Sequence, residues 1–249
     1  MAADLPSAES IMADVRARWG SDVLVSYSRG KDATAATLAL TEAGFNCWGL
    51  YFYSVPPDRD GKLLTFESEY LDYAEEVLFA GRRIIRLPSP WLHDALLRGL
   101  FQTPARMPVV LAMQRSLRRH SYYDLHNVAR HILGMPGLPV AIGTRASDSP
   151  GRRIHFRKAG PIDVARRTFS PIAAWNRADV VEIIRRHGVK LPVEYGWQSN
   201  TWDGLDHRHL AGVAEHRPTD YARILEVFPL AGVELFRAEM IRRRQEESA

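Results

Sequence analysis

Ser26-Tyr27-Ser28-Arg29-Gly30-Lys31-Asp32-Ala33-Thr34 is the stretch on which the reading of this chain turns. Asp22-Val23-Leu24-Val25 before it is apolar and short enough for a buried strand. Ala35 to Ala43 after it is rich in helix formers, and Gly44 stands where it would stop the helix. The order is therefore strand, polar loop, helix N-terminus. Free backbone N–H groups and the helix dipole at that point attract an anion. Ser28 and Thr34 add hydroxyls, Gly30 lets a phosphate approach the backbone, and Lys31 brings positive charge. Asp32 beside an anion makes sense if Mg²⁺ sits between its carboxylate and the phosphates. A Walker-type loop is excluded, because the positions that need Gly and Ser or Thr hold Val25 and Asp32. The three spaced glycines of a dinucleotide-binding turn are absent too.

Working outward, Asn46 to Val55 reads as a second, aromatic-rich strand ended by Pro56-Pro57. Arg83 to Leu87 reads as a third, and Leu138 to Gly143 as a fourth. A fifth is expected near Ile172. Helical spacing appears at residues 7–19 before the first strand, and through Phe66, Tyr70, Tyr73 and Val77. Ser89-Pro90 supplies an N-cap and first-turn proline for a helix from Trp91 to Leu100. The alternation predicts an α/β fold, a doubly wound, mostly parallel five-stranded sheet. In such sheets ligands sit at the carboxyl ends of strands, where strand order reverses. That places Gly143, Thr144 and Arg145 opposite the phosphate loop, with Ser54 closing the second strand.

The alternation pauses at about 101–136, where two helical segments are expected near 109–119 and 122–133. This insertion carries Arg115, Arg118, Arg119, His120, His126, Arg130 and His131. It reads either as a hairpin with a solvated basic face or as a lid over an anionic substrate. Residues 196–209, rich in Trp, Asp and His, read as a loop, and His207 and His209 as surface histidines rather than metal ligands. Thr219 is placed to cap a helix through Phe228, and a last helix around 233–241 leads to a charged tail, Arg242 to Glu247, that is expected to fray. The expected division is a nucleotide-binding domain at 1–195 and a small helical extension at 196–249.

Composition narrows the class. The chain has 249 residues, a formal charge of +4 and 46% hydrophobic residues, the profile of a globular protein of one large α/β domain. No apolar run of about 18 residues exists, so no membrane span is expected. Met1 to Ser10 does not read as a secretory signal. Cys47 is the single cysteine, which excludes an internal disulfide and a four-cysteine metal site and suits a cytoplasmic location. At a strand start it reads as a packing thiol.

Ser28, Gly30, Lys31 and Asp32 match the PP-loop of the ATP pyrophosphatases, commonly Ser-Gly-Gly-Lys-Asp-Ser, with Arg29 replacing a Gly and Ala33 a Ser. Gly143-Thr144-Arg145-Ala146-Ser147-Asp148-Ser149, followed by Arg152 and Arg153, resembles a second stretch of the phosphoadenosine phosphosulfate (PAPS) reductase family. Pro171-Ile172-Ala173-Ala174-Trp175 with Asp179-Val180 resembles a third. Three matches in order cover roughly 23–195, and the tracts 203–206 and 228–230 resemble the cysteine-poor bacteriophage members. The resemblance implies an adenine nucleotide alpha hydrolase-like fold. It also implies an enzyme that binds ATP with Mg²⁺, cleaves between the α and β phosphates, adenylates an acceptor and releases pyrophosphate. Lys31, Asp32 and Arg145 would be catalytic, with Asp32 holding the metal. Ser26, Ser28, Arg29, Gly30, Lys31, Asp32, Ala33, Thr34, Ser54, Gly143, Thr144 and Arg145 would bind the nucleotide. Ser149, Arg152 and Arg153 would bind substrate. The reductases' C-terminal nucleophilic cysteine is missing here, so thiol-based reduction is not expected. The alternatives are a sulfonucleotide-binding protein and a nucleotide-binding module without turnover. The acceptor is a small molecule or a nucleic-acid base, and a homodimer is allowed.

Overall fold

A computed structural model describes residues 5–247. It holds a six-stranded, mostly parallel sheet in the order β3-β2-β1-β4-β6-β5, one strand more than expected. The strands are β1 (Asp22–Ser26), β2 (Asn46–Tyr53), β3 (Ile85–Pro88), β4 (Val140–Ile142), β5 (Ile162–Asp163) and β6 (Thr168–Phe169). β1 pairs in parallel with both β2 and β4, and β4 with β6. The chain thus builds outward from β1 to β3 and restarts on the other side with β4. The switch in strand order falls between β1 and β4, as the sequence predicts for a doubly wound sheet. The extra strand is β5, which forms an antiparallel hairpin with β6. Two residues carry no periodicity, so that hairpin has no sequence signal. Ile172 itself follows β6 rather than lying in it.

The helices in chain order are α1 (Ala8–Trp19), α2 (Lys31–Glu42), α3 (Thr65–Val77), α4 (Pro90–Leu97), α5 (Met107–Ser116) and α6 (Tyr122–Ile132). They continue with α7 (Pro150–Ala159), α8 (Arg177–Arg186), α9 (Tyr195–Gln198), α10 (His207–His216), α11 (Pro218–Val227) and α12 (Val233–Glu247). Among the described residues no helix is long and apolar enough to cross a membrane.

The chain divides into two compact units. Among the described residues the first comprises 5–52, Tyr70–Leu87 and Tyr123–Leu191, and the second Tyr53–Glu69, Pro88–Tyr122 and 192–247. This differs from the expected boundary at residue 195. In the first unit, Leu24, Leu50 and Val140 point to one side of the sheet and pack with Ala129 of α6. Alternation sends Val23, Val25 and Ala141, all buried, to the opposite side. α2, buried continuously from Ala33 to Leu40, packs on β1, β4 and α8. In the second unit, Val55, Leu64, Phe66, Leu92, Trp202, Leu210, Ile224 and Phe228 form one core. Buried Asp220 of α11 accepts the N–H groups of Thr65 and Phe66, at 2.8 and 3.4 Å, and so caps the start of α3.

Several expectations are corrected here. His126 and Arg130 do not belong to a solvated basic face on α6: both are buried, and Arg130 donates to the carbonyls of Leu138, Arg166 and Arg167 at 2.8–3.3 Å. Residues 196–209 are not all loop, since Asp206 caps α10 by accepting the Arg208 N–H at 2.9 Å. His209 is buried, with Nε2 2.9 Å from Asp203. Arg217, not Thr219, precedes α11, which starts on Pro218. The charged tail stays helical to Glu247.

Candidate functional site at the exits of β1 and β4

The ladder continues one residue past β1, where the Tyr27 N–H donates to Leu50 O at 2.7 Å. The chain then turns sharply. Ser28 is exposed, and Arg29 takes a left-handed conformation with φ 63°. This is the place where the resembling loop carries Gly, and a side chain there costs about 1–2 kcal/mol. The side chain turns inward: Arg29 is fully buried, its Nε 3.3 Å from the Tyr51 hydroxyl and its guanidinium over the Tyr51 ring. Gly30 is the N-cap of α2 and supplies no side-chain cap. The first intrahelical bond runs from the Thr34 N–H to Gly30 O. The N–H groups of Lys31, Asp32 and Ala33 therefore have no acceptor in the helix.

β4 brings the second wall. A methyl group on Gly143 would lie 2.8 Å from Ala33 N and from Asp32 C and O. Only glycine lets the end of β4 pass this close to the first turn of α2. The geometry thus gives Gly143 a steric reason that its expected role as a nucleotide contact does not require. Two residues on, Arg145 is buried with Nε 3.0 Å from Asp32 Oδ1. The approach is off-axis: the two atoms form an ion pair, yet neither completes a hydrogen bond. Lys31 Nζ donates to Asp32 Oδ2 at 3.0 Å. Arg145 Nη2 lies 2.6 Å from Asp148 Oδ1, and Arg152 Nη1 lies 2.7 Å from Asp148 Oδ2. Three cations and two carboxylates thus alternate in one chain, Lys31, Asp32, Arg145, Asp148, Arg152.

The third sequence match explains what supports this wall. The Ala146 N–H donates to Ala173 O at 2.8 Å, and Ser147 Oγ to Trp175 O at 2.9 Å. Asn176 and Asp179 cap α8 reciprocally.

Not every predicted residue presents a free side chain. The side chain of Thr34 is buried, its hydroxyl 3.4 Å from that of Tyr27, so it is not a free phosphate donor. The Arg29 side chain likewise turns inward, leaving that residue only its backbone to offer. Ala33 is buried, and Ser26 ends β1 half-buried. Thr144 is half-buried beside Arg145. Ser54 belongs to the second unit, with its hydroxyl 3.5 Å from Ser89. Ser149 Oγ caps α7 by accepting the Arg152 N–H at 3.2 Å. Arg153 is exposed on α7. Sequence reasoning missed the roles of Tyr27 and Tyr51, and it saw in Asp148 only a surface partner for the nearby arginines. The Tyr27 hydroxyl is raised well above the ordinary range, mainly by burial, so it is a neutral hydrogen-bonding group under the loop.

Among the described residues no group of three or more His, Cys, Asp or Glu could hold a metal alone. Asp32 Oδ1 is buried and without a hydrogen bond, but it faces the Arg145 guanidinium while Oδ2 accepts from Lys31, so a metal ion held there would have to displace one of these cations. Cys47 is buried and its thiol is pushed up to about 11 by burial, the opposite of an activated nucleophile. No protein-family model and no curated protein sequence matches the chain.

Proposed function

We propose that this chain is a PP-loop nucleotide enzyme, similar to the PAPS reductase family, that transfers an adenylyl group from ATP and releases pyrophosphate. One observation carries the reading. Lys31 and Arg145, from the exits of two neighbouring parallel strands, converge on Asp32 beside an α2 N-terminus that has no side-chain cap. The arrangement offers backbone donors, two cations and a carboxylate in one place, at the strand-order switch.

The roles follow from charge. In the transfer an acceptor oxygen bonds to the α-phosphorus. The bond from that phosphorus to the α–β bridging oxygen breaks, and pyrophosphate leaves with the electron pair. Lys31 and Arg145 stabilise charge building on the phosphate oxygens. Asp32 would hold Mg²⁺, which when bound supplies Lewis-acid stabilisation to the leaving pyrophosphate. The amides of Lys31 to Ala33 orient the phosphates. Arg29 supports a working loop rather than a degenerate one, because it keeps the left-handed turn that a glycine would take.

Incubation with ATP and Mg²⁺, with and without candidate acceptors, tests the proposal. The expected products are pyrophosphate and an adenylylated acceptor. Release of ADP and orthophosphate, or no nucleotide binding at all, would overturn it.

A further inference from the structure

We infer that Asp148 is a positioning residue that sets the direction of the Arg145 guanidinium. This rests on reading the β1 and β4 exits as a phosphate site. A carboxylate three residues after an arginine is usually a surface partner that contributes little. Here the Arg145 side chain is only 7% exposed and that of Asp148 14%. Asp148 grips Arg145 twice. Its Oδ2 accepts the Arg145 backbone N–H at 3.0 Å, and its Oδ1 faces Nη2 at 2.6 Å. The turn carrying Asp148 is itself pinned through Ala146 to Ala173 and through Ser147 to Trp175. Arg152, exposed at 52%, covers the remaining face of the carboxylate.

This geometry fixes which edge of the guanidinium meets the phosphate loop. With Nη2 held by Asp148, the Nε edge is the one turned to Asp32. Without Asp148, the planar fork is free to swing and close on Asp32 in a two-pronged pair. Arg145 would then hold Asp32 through two nitrogens rather than through Nε alone, leaving fewer donors for the phosphates. Asp148 therefore acts through Arg145, and Arg152 acts on Asp148 rather than on the ligand.

A double-mutant cycle tests this, with inorganic pyrophosphate in the presence of Mg²⁺ as the probe. In the parent protein Arg145→Lys is expected to weaken binding about tenfold, because the charge survives and the fork does not. In an Asp148→Asn background the same change is expected to cost about twofold or less, since the fork is already misdirected. Asp148→Glu, which keeps the charge one methylene further out, should fall between and covers the case in which Asp148→Asn does not fold. Equal factors in both backgrounds would overturn the positioning role and leave the site standing. A parent protein that does not bind pyrophosphate, or binds it unaffected by Lys31→Ala, would overturn the site and with it this role.

Discussion

The two ends of β4 each bury an arginine, and the two meet different kinds of acceptor. Arg130, at the entrance, donates to the main-chain oxygens of Leu138, Arg166 and Arg167 and to the Asn127 side chain. Arg145, at the exit, faces the side-chain carboxylates of Asp32 and Asp148. Main-chain carbonyls before β4 and β6 cannot leave, so Arg130 is a fixed clamp between two strand entrances. Carboxylate side chains can exchange one cation for another, so under the proposed function Arg145 holds interactions that an arriving anion or metal would redistribute. Burial alone does not separate structure from chemistry in these two residues; the kind of acceptor does.

Removing the clamp should break the comparison most visibly. Arg130→Leu leaves up to three buried carbonyls unsatisfied and should cost about 3 kcal/mol or more in urea unfolding. Arg145→Leu should cost clearly less in the same measurement while abolishing pyrophosphate binding. If the two variants lose stability equally, the contrast fails.

His126, one turn before Arg130 on α6, sharpens the structural end. It is buried, neither ring nitrogen has a hydrogen-bond partner, and burial with the nearby Arg130 charge lowers it to about 4. The unfolded chain takes up this proton near 6.5, while the folded chain resists it down to about 4. Stability from this residue is therefore complete above about pH 6.5 and is lost as pH falls toward 4, on the order of 3 kcal/mol in all. His126→Leu should flatten the stability–pH curve in that window. A curve with the parental slope would show that the imidazole is not held neutral.

At the other end, Gly143→Ala should cost about 1–3 kcal/mol, because the backbone of Asp32 and Ala33 must shift. It should weaken pyrophosphate binding as well, since the same atoms form the candidate anion site. A variant with parental stability and binding would mean that β4 does not press on α2.

The smallest effect belongs to Cys47, at the start of β2. Cys47→Ser should cost about 1 kcal/mol for a buried hydroxyl and leave nucleotide binding intact. In the folded parent protein the thiol should resist alkylation at pH 8, since burial raises it. Rapid alkylation without unfolding would contradict its placement.

Much of the first unit was legible because its signals are local. β1, β2 and β4 are apolar runs bounded by polar turns, and Gly30 to Asp32 announces a helix N-terminus. The β5–β6 hairpin was not legible, because two-residue strands have no period. The second unit was hidden for a different reason. Its core joins Phe66, Leu92, Trp202 and Phe228 from three separated segments, and no window of sequence contains that pairing. In the site, the Arg29 substitution could be read as a change in the loop. Its left-handed backbone and inward side chain could not, because Tyr51 comes from the next strand. Asp148 was visible as a partner for nearby arginines, but its grip on Arg145 depends on burial.

The central claim is that the β1 exit and α2 form a nucleotide phosphate site, and calorimetric titration of MgATP into the parent and Lys31→Ala proteins tests it most directly. The account predicts saturable binding by the parent protein and a loss of about 1.5–3 kcal/mol in the variant, the usual cost of removing a charge-assisted hydrogen bond. Equal affinity for MgATP in both proteins would contradict it.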